Sequence, residues 1–155
     1  MTAPTNARHF IIRHEVDAPL ARVWNTFANH PEDLFKALSP PFPAAKLKAF
    51  GGTTVGAKVE LDLQFGLWTS HWQSIVTEQV VGPDACWFVD EGTILPLGMT
   101  YFRHKHHLIA SSPTTTTICE DITLAGGNWL TTMVNYLGFL GQMQMRGRVY
   151  KGYWG

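Results

Sequence analysis

On an extended chain, side chains two apart share one side. Phe102, His104, His106 and Leu108 of the run Thr100–Ala110 therefore point the same way, and Arg103, Lys105 and His107 point the other. Two imidazoles among apolar side chains need an enclosed pocket, a metal or a buried hydrogen-bond network to compensate their polarity. The next run, Thr115–Leu124, places Ile118, Glu120, Ile122 and Leu124 on one side, so a carboxylate also lies on an apolar surface. A His–Glu pair across adjacent strands is within reach. In a desolvated cavity His104 and His106 favour the neutral form unless Glu120 or a ligand carboxylate lies close. Three uses follow: a polar anchor for a ligand, acid–base catalysis by His104, His106 and Glu120, or a network that only ties the sheet together. Metal binding is a further use of His-x-His, with Glu120, His71 or His14 completing the set. No spacing fixes that third ligand, and no cofactor fingerprint, phosphate loop or nucleophile-with-base motif is present, so no metal and no cofactor is expected.

The elements that must position these residues follow from periodicity. His9 to Val16 alternates as a strand and stops at Asp17-Ala18-Pro19. With Asp17 or Ala18 as N-cap and Pro19 in the first turn, Leu20, Val23, Trp24 and Phe27 follow at helical spacing. Pro31 to Leu38 restarts as a second short helix, and Ser39-Pro40-Pro41-Phe42-Pro43 must leave it extended. Strands are then predicted at Leu47–Phe50, Ala57–Phe65, Thr69–Val80, Cys86–Asp90, Tyr101–Ala110 and Thr115–Leu124. Links this short build an antiparallel meander, since parallel crossovers need more chain.

Asn128 is placed to cap a long final helix. Trp129, Met133, Tyr136, Leu140 and Met143 form one face of it, with Leu130, Val134, Leu137 and Met145 beside them. Thr131, Asn135, Gln142 and Arg146 make a narrow polar stripe. So broad an apolar surface is expected to cover the concave face of the sheet. Gly138, Gly141 and Gly147 each cost the helix roughly 1 kcal/mol relative to Ala, which suggests a close approach, a bend or open space. The expected organisation is a flexible tail over 1–8 and a single α+β domain over 9–155.

Composition narrows the function. The 155 residues carry a formal net charge of +0 and only 15% charged residues, against the basic excess of nucleic-acid binders. Nucleic acid is not an expected partner. Six Trp, nine Phe and four Tyr suit the wall of an apolar cavity. Trp68, Trp72, Trp87 and Phe65 cluster in the meander as candidates. Ile122–Met145 has the length to cross a bilayer, but Asn128, Thr131, Thr132, Asn135, Gln142 and Gln144 would lack partners there, so no spanning helix is expected. Cys86 and Cys119 match no metal spacing and read as reduced thiols. With no apolar leader in Met1–Arg8, a cytoplasmic location is expected.

This order of elements resembles the helix-grip fold of the START/Bet v 1-like ligand-binding superfamily, also called SRPBCC. The resemblance runs from about His9 to Tyr150. It rests on Asp17-Ala18-Pro19 followed by Val23-Trp24, the exit Leu38-Ser39-Pro40-Pro41, Trp72 with Ile75, Phe88-Val89-Asp90-Glu91, His104-Lys105-His106, and Ile118, Glu120 and Ile122. The chain departs from the pattern at Phe102, where Trp is common, at Lys105, where Arg is common, and at Leu95-Pro96-Leu97-Gly98, where Gly-Pro is usual. The resemblance implies an α+β helix-grip fold: a curved antiparallel sheet wrapped around a long C-terminal helix, two short helices after strand 1, and an internal cavity. Its expected lining is Trp72, Phe102, His104, His106, Glu120, Met133, Tyr136, Leu137 and Leu140.

The function implied is binding of a small hydrophobic ligand, such as a lipid, isoprenoid or polyketide-like molecule, by a carrier or sensor. One alternative is a lyase of the polyketide cyclase or dehydratase type, with His104 or His106 as acid–base residue and Glu120 or Tyr101 assisting. Another is a protein-binding module using its surface and the Ile94–Met99 loop. Leu95, Leu97 and Met99 in that loop suit a lid or a homodimer contact.

Overall fold

The computed structural model describes residues 2–155. Strand β1 is Arg8–Val16, followed by helices α1 (Leu20–Asn29) and α2 (Pro31–Leu38). Strands β2 (Ala44–Phe50), β3 (Lys58–Phe65), β4 (Trp68–Val81), β5 (Ala85–Ile94), β6 (Met99–Ala110) and β7 (Thr116–Gly126) come next, and α3 (Trp129–Trp154) ends the chain. All strands join one antiparallel sheet in the order β1-β7-β6-β5-β4-β3-β2. The meander is sequential, β1 closes onto β7, and the two short helices carry the chain from one edge to the other.

Register shifts interrupt the pairing between Val76 and Glu78, Gln73 and Ser74, Leu47 and Ala49, and Met99 and Tyr101. Such bulges bend strands and increase twist, which suits a sheet that curves around a helix. Pro19, expected in the first turn of α1, is instead its N-cap, with extended backbone at φ −62 and ψ 148. Its carbonyl accepts from Arg22 N and Val23 N at 3.0 and 3.1 Å. Asn128 caps α3 as expected: its side chain accepts from Thr131 N at 2.9 Å, and Thr131 Oγ1 accepts from Asn128 N at 3.2 Å. Ahead of β1, Asn6 Nδ2 donates to the Gly126 carbonyl at 3.0 Å and to Thr132 Oγ1 at 3.1 Å.

The orientation of α3 differs from the expectation. The buried residues of this helix are Thr132, Asn135, Met143, Gly147, Tyr150 and Trp154, whereas Leu130, Val134, Leu137 and Met145 are exposed. The polar stripe thus turns inward because it has partners there. Asn135 Nδ2 donates to the Leu97 carbonyl at 3.1 Å, and Arg146 reaches a buried carboxylate at 3.1 Å. Gly147 marks a close approach, since a Cβ there would sit 2.6 Å from His14 Nδ1 on β1. At Gly138 and Gly141 a Cβ would meet nothing within 4 Å.

Two apolar clusters form the core. One gathers Val16, Val23, Phe27, Phe88, Leu108, Ile118 and Tyr150 at the end covered by α1; the other gathers Phe10, Trp72, Phe102, Ile122, Leu124 and Met143. On β6, β7 and α3 alike, the residues between the two clusters are polar: His104 and His106, Glu120, and Arg146. A polar belt therefore crosses the interior.

Candidate functional site

Strand register places the belt. His104 lies opposite Asp90 on β5 and Ile122 on β7, while His106 lies opposite Phe88 and Glu120. The side chains then bond diagonally. His104 Nε2 donates to Glu120 Oε2 at 2.6 Å, and His106 Nε2 lies 3.1 Å from Asp90 Oδ1, which it meets as a donor in one imidazole tautomer and as a lone pair in the other. The two imidazoles face each other with ring centroids 3.7 Å apart, and Phe88 stacks on His106 at 4.3 Å. The other oxygen of Glu120 accepts from Arg146 Nη1 at 3.1 Å and from the Tyr150 hydroxyl. His106 Nδ1 lies 3.6 Å from Glu120 Oε2 and is buried without a hydrogen-bond partner.

The electrostatics follow from burial and pairing. Burial would raise the Glu120 pKa, but the Arg146 charge and the His104 hydrogen bond outweigh it and hold the carboxyl well below its ordinary range. Asp90 behaves alike: burial pulls its pKa up, and the His106 hydrogen bond and charge bring it below the usual value. Burial, helped by the neighbouring His106, pushes the His104 imidazole down against the pull of Glu120. Burial and the Glu120 charge hold the Tyr150 hydroxyl well above its ordinary value. For Arg146 burial works downward, but Glu120 overrides it and raises the pKa. The belt thus contains two carboxylates, one guanidinium and a His104 kept neutral.

The belt borders a cavity of about 450 Å³ between the sheet, α2 and α3. Leu34, Leu38, Leu61, Leu63, Trp72 and Phe139 are among its apolar walls. Ser74, Asp90, His104, His106 and Arg146 bring the polar belt to it, and the exposed Phe42 and Leu97 on its lining mark a mouth.

Of the residues expected to line a cavity, Trp72, Phe102, His104 and His106 do so. Glu120 is fully buried behind the histidines rather than on the lining. Leu137 is 59% exposed on the outer side of α3, because the helix is turned by its polar stripe. Tyr136 packs edge-on against Phe10 at 5.6 Å, and Leu140 joins the same apolar cluster. Met133 borders a separate small hollow near Asn6. Tyr101 is buried but not on the cavity lining, which places it away from the acid–base pair. Trp68 is exposed and Trp87 lies under Lys105, whose Nζ is 4.5 Å from the ring centroid. His71 pairs with Asp62 at 3.1 Å on the outer surface, and His14 Nε2 bonds the Met143 carbonyl at 2.8 Å, so neither joins the pair. Cys86 and Cys119 are free and buried.

Asp90, Arg146, Tyr150 and Ser74 were not anticipated as belt residues. For Asp90 a signal existed, since Cys86, Phe88 and Asp90 alternate onto the inner face.

No family model and no curated protein matches the chain. Solved structures do resemble it. Norcoclaurine synthase from Thalictrum flavum, solved with dopamine and hydroxybenzaldehyde, shares 20% identity at a TM-score of 0.58 over 89% of this chain and 82% of its own. The Zhui aromatase/cyclase from a Streptomyces species shares 15% identity at 0.57, covering 79% and 70%. Major latex-like protein 151 from Panax ginseng shares 10% at 0.60, covering 93% and 97%. No helix among the described residues is long and apolar enough to cross a membrane. The sheet closed by β1, the paired short helices, the terminal helix and these neighbours together give the chain the helix-grip fold of the Bet v 1-like, or SRPBCC, proteins.

Proposed function

We propose that this protein binds a small, largely apolar molecule in its cavity, with the polar group of that molecule against His104, His106 and Asp90. The carrying observation is a volume of about 450 Å³ walled by aliphatic and aromatic side chains with its charged groups gathered on one belt. That is the usual composition and size of a small-molecule site. Burying about 300 Å² of apolar ligand surface, at roughly 25 cal/mol per Å², supplies up to about 7.5 kcal/mol before association costs. A lipid, isoprenoid or polyketide-like aromatic fits this chemistry, and carrier or sensor is the role in which such binding suffices. The test is uptake of an apolar fluorescent probe by the wild type and by Leu61→Trp, which fills the cavity from β3. The variant is expected to lose at least about tenfold in affinity, or ~1.4 kcal/mol, while staying folded. Equal uptake by the two proteins, or none by either, overturns the reading.

A second reading is favoured by one observation: each imidazole is held by a carboxylate, the arrangement that orients a general base. Under it the protein is a cyclase- or dehydratase-type lyase in which His104 or His106 moves the proton. His104→Gln or His106→Gln would then abolish turnover of a polyketide-like substrate and preserve probe uptake; turnover retained by both variants excludes the role.

A further inference from the structure

Glu120 divides its oxygens between different partners. One accepts from Arg146 and Tyr150, so the guanidinium charge is committed there. The other faces His104 Nε2 at 2.6 Å and His106 Nδ1 at 3.6 Å. In the tautomer with the His106 proton on Nδ1, that N–H faces the negative Glu120 oxygen from just beyond hydrogen-bond distance, and a lone pair on Nε2 is directed at Asp90, 3.1 Å away. Two lone-pair donors facing each other repel unless a cation lies between them. Their separation is close to the distance between adjacent ligands bound roughly 2.1 Å from one metal ion, about 3.0–3.4 Å.

The donor atoms of Asp90, His104 and His106 come within 4.8 Å of one another. All three residues line the cavity and Glu120 does not, so the cavity side is left open for a further ligand. We propose that Asp90, His104 and His106 form a binding site for a divalent transition-metal ion, with Glu120 as the outer carboxylate that orients both imidazoles. Imidazole and carboxylate together suit Zn²⁺, Fe²⁺ or Co²⁺ better than Mg²⁺ or Ca²⁺. Metal-bound histidines commonly donate their second N–H to a carboxylate, the part Glu120 is placed to play. Charge agrees, because Arg146 balances Glu120 and the negative charge of Asp90 is left for the ion. The sequence offered the two histidines but not this third ligand. The site uses the same three residues that the cavity-binding reading sets against a ligand's polar group, but an ion can occupy it with no organic ligand present.

The test uses the untagged full chain, stripped with a chelator and titrated with Co²⁺ for visible absorption and with Zn²⁺ by calorimetry. One equivalent is expected to bind, with the absorption of a nitrogen- and oxygen-ligated ion. Asp90→Asn and His106→Gln, which retain shape and polarity, should each weaken binding at least about tenfold, the least that even an outer partner of a ligand costs when lost. His71→Asn on the outer surface should leave it unchanged. Absence of stoichiometric uptake by the folded wild type, or wild-type affinity in either folded belt variant, overturns the proposal. If one belt variant fails to fold, the other decides. Probe uptake measured on the same stripped sample reports separately on the cavity.

Discussion

Glu120 has no exposed surface and meets three donors, His104, Arg146 and Tyr150. A buried carboxylate is tolerable only when its lone pairs are satisfied this fully. Glu120→Ala should therefore destabilise the fold by about 3–5 kcal/mol, because it strands the buried Arg146. Tyr150→Phe, which removes one charge-assisted bond, should cost about 1.5–3 kcal/mol. Urea unfolding checks both; a wild-type midpoint for Glu120→Ala would show that the belt carries no stability. His104, His106 and Glu120 were legible in the sequence because a period of two puts them on the inner face. Asp90 shares that period with Cys86 and Phe88, but it is the last residue of the predicted strand Cys86–Asp90, and pattern alone does not show that β5 runs on to Ile94 and keeps it inside. Arg146 belongs to the polar stripe of the final helix, and sequence shows that its charge exists but not that a buried partner awaits it.

At the level of elements, α3 shows why periodicity alone failed. Apolar side chains surround most of this helix, so no face stands out, and packing on β1 and β7 is decided by Asn135, Arg146 and the approach at Gly147. The glycines, identical in sequence terms, separate in structure. Gly141→Ala should stabilise the protein by about 0.5–1 kcal/mol, since its Cβ would meet nothing and the helix gains propensity. Gly147→Ala should cost about 1–3 kcal/mol by driving a methyl into the His14 ring. Thermal midpoints moving the same way in both variants would contradict this packing. The strands were easier to read, with β3 and β6 close to their predicted limits, because alternation and short links leave an antiparallel meander little freedom.

For the whole molecule, the pH dependence of stability follows from the belt. The folded pKa of His104 lies below 6.5, so between these values the unfolded chain binds more protons and stability falls as pH falls. Glu120, held well below 4.5, adds a second loss in stronger acid, and Asp90 contributes in the same direction. Tyr150, raised well above 10.0, keeps its proton in the fold, so stability is lost as pH rises past that ordinary value. A plateau from about pH 6.5 to 10 is expected in the thermal midpoint. A midpoint that climbs as pH drops from 6.5 to 5 would exclude a neutral, buried His104. The fold as a whole was legible from element order and the cavity from the resemblance, with Trp72, Phe102, His104 and His106 on its lining as expected; the α3 part of the lining was not, because it depends on how that helix is turned.

The diagonal bonds of β6 also have a mechanical meaning. His104 leans along the strand towards the level of His106 to reach Glu120, while His106 leans back towards the level of His104 to reach Asp90. Like guy-ropes set at opposite slants, one tightens whichever way β6 is dragged between its neighbours, so the middle of the sheet is locked against shear in both directions.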